Sequence, residues 1–237
     1  MRATSPGSKR AMTVDTTPKR RLWPLDNPQI LDGACEKSPK DSVCVSYSPL
    51  TPMIAKKIQP VLILVAIIWI VEFANLFLGH RLVSLGILPR SFTGLIGIPL
   101  APMLHSGFWH AVANTVPLLI LGSLTLAGGK RLFWETTVNV TLLSGALVWI
   151  FARAAYHVGA SGLVFGYFGV IVARAVIKRG IIAIVIAIVT VIAYGGLLWG
   201  ILPLRSHVSF ESHLFGLIAG IVVVWLEHKF GEPQTPG

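Results

Sequence analysis

The stretch GASGLVFGYFGVIVARAVIK, residues 159–178, sets a serine between glycines and continues with Gly162, Gly166 and Gly169 along an otherwise apolar run. On a helix these three glycines make a smooth stripe against which a second backbone can come close. A partner stripe lies in SFESHLFGLIAG, residues 209–220, where Gly216 and Gly220 follow His213 at i+3 and i+7. If the stripes pack, Ser161 and His213 enter from the same side at similar depth, within a hydrogen-bond reach of roughly 2.6–3.2 Å.

The same apolar character extends over most of the chain. Of 237 residues, 54% are hydrophobic and 13% charged, and the mean hydropathy is +0.72. This balance excludes a cytosolic enzyme, a disordered chain and a nucleic-acid module. A bilayer requires about 20 apolar residues per helix, and such segments fall at 59–79, 108–128, 132–152, 161–178, 180–200 and 210–228. The expected fold is an all-α membrane protein, a six-transmembrane-helix bundle over 58–230, with a polar, disordered N-terminal tail at 1–57 and a short C-terminal tail at 231–237. Trp109, Trp134, Trp149, Trp199 and Trp225 fall at or near span ends, as an interfacial aromatic belt requires. The N-terminal tail has no apolar run close behind its basic start, so no cleavable signal is expected. Cys35 and Cys44 lie in it without metal-ligand spacing, which supports neither a zinc site nor a disulfide framework.

Six spans place both termini on one side of the membrane. All of the 20 Lys/Arg residues except Arg81, Arg90, Arg153 and Arg205 then fall on that side. By the positive-inside rule both termini are cytoplasmic, and the net charge of +10 records topology instead of a nucleic-acid partner. Short loops and the lack of a targeting segment favour a bacterial plasma membrane.

Polar groups inside spans are costly and therefore informative. Ser161 opens the fourth span, where free backbone N–H groups and the positive end of the helix dipole lie beside it, and Gly159 and Gly162 let the backbone turn and approach closely. A serine still needs a base, and His213 is the candidate. In HAVAN, residues 110–114, His110 and Asn114 share a helical face and offer donors for a developing oxyanion. The starts of the second, fourth and sixth spans all lie on the non-cytoplasmic side, so His110, Ser161 and His213 are expected at one level. Each feature also has a plainer reading: helix packing for the glycines, an interhelical polar clasp for His110 and Asn114.

In order and spacing the chain resembles the rhomboid family of intramembrane serine proteases over about residues 58–230. The resemblance rests on His110 and Asn114, on GASG with Ser161, and on His213 followed by Gly216 and Gly220. It implies Ser161 as nucleophile, His213 as general base and acid, His110 and Asn114 as oxyanion donors, and a dyad without a third carboxylate. Glu211, two residues before His213, points away on a helix and reads as favourable charge at its N-terminus. Phe165 stands where the family often has a tyrosine packed on the histidine, and His105 fits a bracing role for the preceding loop. The family's Trp-Arg pair in the first loop is replaced by Pro89-Arg90. Implied partners are transmembrane protein substrates with small residues at the cut, and the lipid bilayer. No metal or cofactor is expected: there is no HExxH, P-loop or dinucleotide fingerprint.

Two other functions compete. One is a catalytically inactive rhomboid-like protein that binds membrane clients. The other is a small transporter or channel whose His and Asn line a pathway, which would favour inverted repeats or polar residues through the bilayer depth. Glu72 and Asn75 read as interhelical hydrogen-bond formers, Arg174 as a residue snorkelling to the cytoplasmic interface, Pro117 as a kink, and His80, His157, His207 and His228 as boundary histidines without a role.

Overall fold

Seven α-helices follow one another in the computed structural model, which describes residues 50–202 and 209–230. They are α1 (Leu50–Phe77), the single turn α2 (Gly97–Leu100), α3 (Phe108–Leu126), α4 (Lys130–Phe151), α5 (Ser161–Lys178), α6 (Ile181–Tyr194) and α7 (Phe210–Phe230). Each expected span overlaps one long helix. α1 reaches back to Leu50, so the boundary expected at residue 58 falls inside it; Pro52 sits in the first turn, where no amide N–H is required. Most of the tail, Cys35 and Cys44, Arg205, His207 and the C-terminal tail lie outside the described residues.

Lys57–Phe77, Phe108–Leu126 and Phe210–Phe230 are long and apolar enough to cross a membrane. The other three long helices fall short by that measure for visible reasons. α4 opens on Lys130, Arg131 and Glu135. The apolar stretch of α5 is the shorter Ser161–Ile177, and α6 has only 14 residues before Gly195–Ile201 tightens into a 3-10 coil. Fourteen residues rise about 21 Å, against a hydrocarbon core of about 30 Å.

α5 is the axis of the fold. Residues 162–171 are buried without interruption, and the helix packs against α3, α4, α6 and α7. A helix apolar on all sides has no face to offer water, so it takes the centre. Its tightest neighbour is α7. A Cβ at Gly216 would strike the Gly162 carbonyl, one at Gly220 the Gly166 carbonyl, and one at Gly169 would lie 2.7 Å from the Leu217 oxygen. The two glycine stripes therefore meet backbone to backbone. On the opposite flank, Tyr167 is fully buried, stacked on Phe133 and hydrogen-bonded to Thr137 at 2.6 Å. At the far end of the seam Arg174 Nη2 donates to both Glu227 oxygens at 2.6 Å, joining α5 to α7.

The loop between α1 and α3 is braced without the Trp-Arg pair. Arg90 lies in the left-handed region, with φ of 58°, and its Nη1 donates to the carbonyls of Ile150 and Ala152 at 3.1 and 2.8 Å. These carbonyls are the orphans at the C-terminus of α4, where a cation is favoured. Trp149 Nε1 returns a bond to the Ser91 carbonyl at 2.8 Å, so α4 supplies the indole that the loop lacks. Asn75 fixes the other end of the loop. Fully buried, it donates to the His105 carbonyl at 2.8 Å and accepts from the Leu82 amide at 3.1 Å. It also donates to Glu72 on its own helix at 3.4 Å, so its bonds run to the loop and within α1, not between helices, which corrects the expectation for both residues.

Gly216→Val should force the α5–α7 seam apart and cost about 1–3 kcal/mol. Thermal unfolding in detergent should register this as a lowered Tm, whereas Gly180→Ala, at a position with open space around it, should leave Tm unchanged.

Candidate active site

Ser161 is the first residue of α5. Val164 N–H donates to the Ala160 carbonyl at 3.0 Å as the first helical bond, so the amides of Ser161, Gly162 and Leu163 have no carbonyl one turn back. The turn leading into the helix is sharp. Gly159 has φ of 117°, and a Cβ there would lie 2.8 Å from His110 Nε2 and 3.8 Å from Asn114 Nδ2. Only glycine admits both features, and its bare Cα lets the α3 side chains rest on the turn that presents the serine.

His110 and Asn114 thus meet the GASG turn directly. Asn114 is buried and donates from Nδ2 to the His110 carbonyl at 3.0 Å, which leaves its second amide hydrogen free of that bond. His110 Nδ1 lies 3.1 Å from Ser106 Oγ; with the hydroxyl donating, the imidazole proton sits on Nε2, the nitrogen beside Gly159. Pro117 lacks the amide that would bond the Ala113 carbonyl, and both residues line the cavity described below.

His213 lies in the first turn of α7. Its Nδ1 is 2.8 Å from the Gly200 carbonyl. A carbonyl can only accept, so Nδ1 carries the proton and Nε2 keeps the lone pair a base requires. The Phe165 ring stacks on the imidazole, with centroids 4.4 Å apart and planes at 12°. Phe165 is one turn after Ser161, so its ring holds the histidine over the serine's own helix, and stacking survives without the tyrosine hydroxyl. Gly200 is a contact that sequence reasoning missed. A Cβ there would lie 2.7 Å from His213 Nδ1 and 3.5 Å from Phe165 Cζ. Nothing in the apolar run GGLLWGIL marks one glycine above the others.

Ser161, His213, His110, Asn114, Phe165 and His157 line one cavity of about 560 Å³. Glu211 is not directed at His213; its Oε1 lies 3.4 Å from Nε and from the amide N–H of Arg153. His105 lies behind the serine, fully buried, and its Nε2 accepts the Ala160 amide at 3.3 Å. Burial pushes its pKa down to about 3, with the neighbouring His110 adding to the effect and the Met103 carbonyl opposing it. Burial also lowers His157, which was expected to have no role; Arg153 adds to the shift, while hydrogen bonding and Glu211 oppose it. Among the described residues no three His, Cys, Asp or Glu side chains gather as metal ligands would.

The model of the Rhomboid domain family matches residues 90–230. Uncharacterized proteins of Mycobacterium tuberculosis and Mycobacterium bovis are each 38% identical to the chain over 176 residues, 70% of this chain and 73% of theirs. A Bacillus subtilis protein, YdcA, is 28% identical over 128 residues, 52% of this chain and 63% of its own, and its name assigns it provisionally to the rhomboid proteases.

Gly200→Ala should displace His213 from its carbonyl partner and slow any reaction that uses the imidazole as base by roughly 10²-fold, while far-ultraviolet circular dichroism stays at the wild-type signal. The buried, neutral His105 also sets a pH dependence. From an ordinary value of 6.5 its folded pKa falls to about 3, so the unfolded chain binds a proton first as pH falls and stability drops below about pH 6.5. Tm should decline between about pH 7 and pH 5, less steeply in His105→Asn.

Proposed function

The chain belongs to the rhomboid family, and from that premise we propose that it is an intramembrane serine endopeptidase in which Ser161 is the nucleophile and His213 its base. The bundle crosses a bacterial plasma membrane six times with both termini cytoplasmic, and the reaction takes place near the non-cytoplasmic face. The observation that carries the reading is the Nδ1 bond from His213 to the Gly200 carbonyl, on a ring stacked against Phe165, one turn after Ser161. A neutral backbone carbonyl here does the orienting that a carboxylate does in a triad, which leaves Glu211 free to pair with Arg153.

In this mechanism a substrate transmembrane segment unwinds locally and presents a carbonyl carbon to Ser161 Oγ while His213 Nε2 takes the hydroxyl proton. The oxyanion is held by Asn114 Nδ2, by His110 Nε2–H and by the amides at the start of α5. His213 returns the proton to the leaving amine. Water then attacks the acyl-enzyme with the same imidazole as base, and serine is regenerated. The cavity, which carries polar side chains beside its apolar lining, admits that water.

Labelling of the purified protein with a fluorophosphonate should be abolished in Ser161→Ala and His213→Ala and retained in Ser84→Ala, an exposed serine whose hydroxyl bonds only its own turn. Asn114→Ala should cost roughly 10²–10³ in kcat on a cleaved transmembrane peptide. A folded wild type that takes neither this probe nor an isocoumarin would favour the inactive, client-binding reading.

A further inference from the structure

A second histidine–serine pair opens onto the same cavity. His157 Nδ1 lies 2.6 Å from Ser209 Oγ, and His157 Nε2 lies 3.0 Å from the Arg153 carbonyl. The proton positions follow from the acceptors. Arg153 offers only a carbonyl oxygen, so Nε2 is protonated, and burial keeps the ring neutral with a bare Nδ1. Ser209 must therefore donate its hydroxyl hydrogen to His157. That leaves the Ser209 oxygen to accept, and two donors reach it: the Ser212 amide at 3.3 Å and the Ser212 hydroxyl at 2.7 Å.

Ser209 is thus the N-cap of α7, and each of its lone pairs has a donor. An oxygen so engaged is a poor nucleophile, which argues against a second reactive serine. The chain of bonds works as a tether. It runs from the loop just before Gly159 to the first turn of α7, one residue from His213, whose own amide donates to the Ser209 carbonyl at 3.4 Å. The tethered segments meet again where a Cβ on Gly162 would lie 3.2 Å from the Ser212 carbonyl. The Arg153–Glu211 pair ties the same loop to the same turn at a second point. His157 is itself held by a two-way backbone bridge to Ile87, at 3.0 and 2.9 Å.

We infer that His157 is a positioning residue which, through Ser209, fixes the first turn of α7 and with it the register of His213 against Ser161. The inference rests on the protease reading for its chemistry but not for its geometry. His157→Phe and Ser209→Ala should each lower the fluorophosphonate labelling rate roughly 10- to 100-fold, and the double variant should lose no more than either single one. Ser209→Thr, which keeps the hydroxyl, should restore the rate. On a cleaved peptide the loss should fall on kcat, with KM unchanged. Independently of catalysis, hydrogen exchange of the amides at 211–216 should quicken in His157→Phe and Ser209→Ala and not in Ser209→Thr. Labelling and exchange both at wild-type levels in His157→Phe would overturn the tether and leave the protease reading intact. A wild type that never labels would overturn the protease reading, and the exchange result would then decide the tether alone.

Discussion

Contact between the backbones of α5 and α7 is the constraint from which the site follows. Lipid tails give two apolar helices little reason to pair, so close association has to come from backbone-level packing. Gly162 against Gly216 and Gly166 against Gly220 provide it, and Arg174 with Glu227 closes the opposite end. Once the seam forms, Ser161 and His213 have no freedom to lie at different depths. The bonds from His157 through Ser209 then hold the first turn of α7, and the remaining contacts set orientation.

Orientation is set by hydrogen bonds that low-dielectric surroundings make costly to leave unmade. Three backbone carbonyls do much of it. Gly200 selects the tautomer of His213, Arg153 selects that of His157, and the His105 carbonyl is held by Asn75. The loop after α1 belongs to the same scheme, since Arg90 caps α4 and the bridge at Ile87 holds the strand of chain that carries His157. The side chains on α3, α5 and α7 that we propose to react are thereby supported from behind by segments outside the proposed chemistry.

The glycine stripes and the order of His110, Asn114, Ser161 and His213 were legible in the sequence because helical periodicity projects them onto faces without knowledge of the fold. Helix positions were legible for the same reason. The contacts of Gly200, His157, Asn75 and Arg90 were not. Asn75 and Arg90 bond backbone atoms 7 to 62 residues away, the Gly200 carbonyl meets a ring 13 residues on, and His157 reaches a serine hydroxyl 52 residues on; neither a backbone atom nor a single serine is distinctive. The partner leaves no mark on the sequence. The Arg174 partner was equally hidden, because Glu227, 53 positions on, meets it only after the seam has formed.

A seam made of backbone has no rotamers. Interfaces built from leucine or methionine can breathe by side-chain hops, and their spacing drifts with temperature and lateral pressure; carbonyl oxygens resting on Cα atoms meet a hard repulsive wall and cannot be compressed further. The spacing between the helices bearing Ser161 and His213 is therefore a mechanical stop. Strain imposed on the bundle from outside should be taken up by the other helices and leave the distance across the seam as it was.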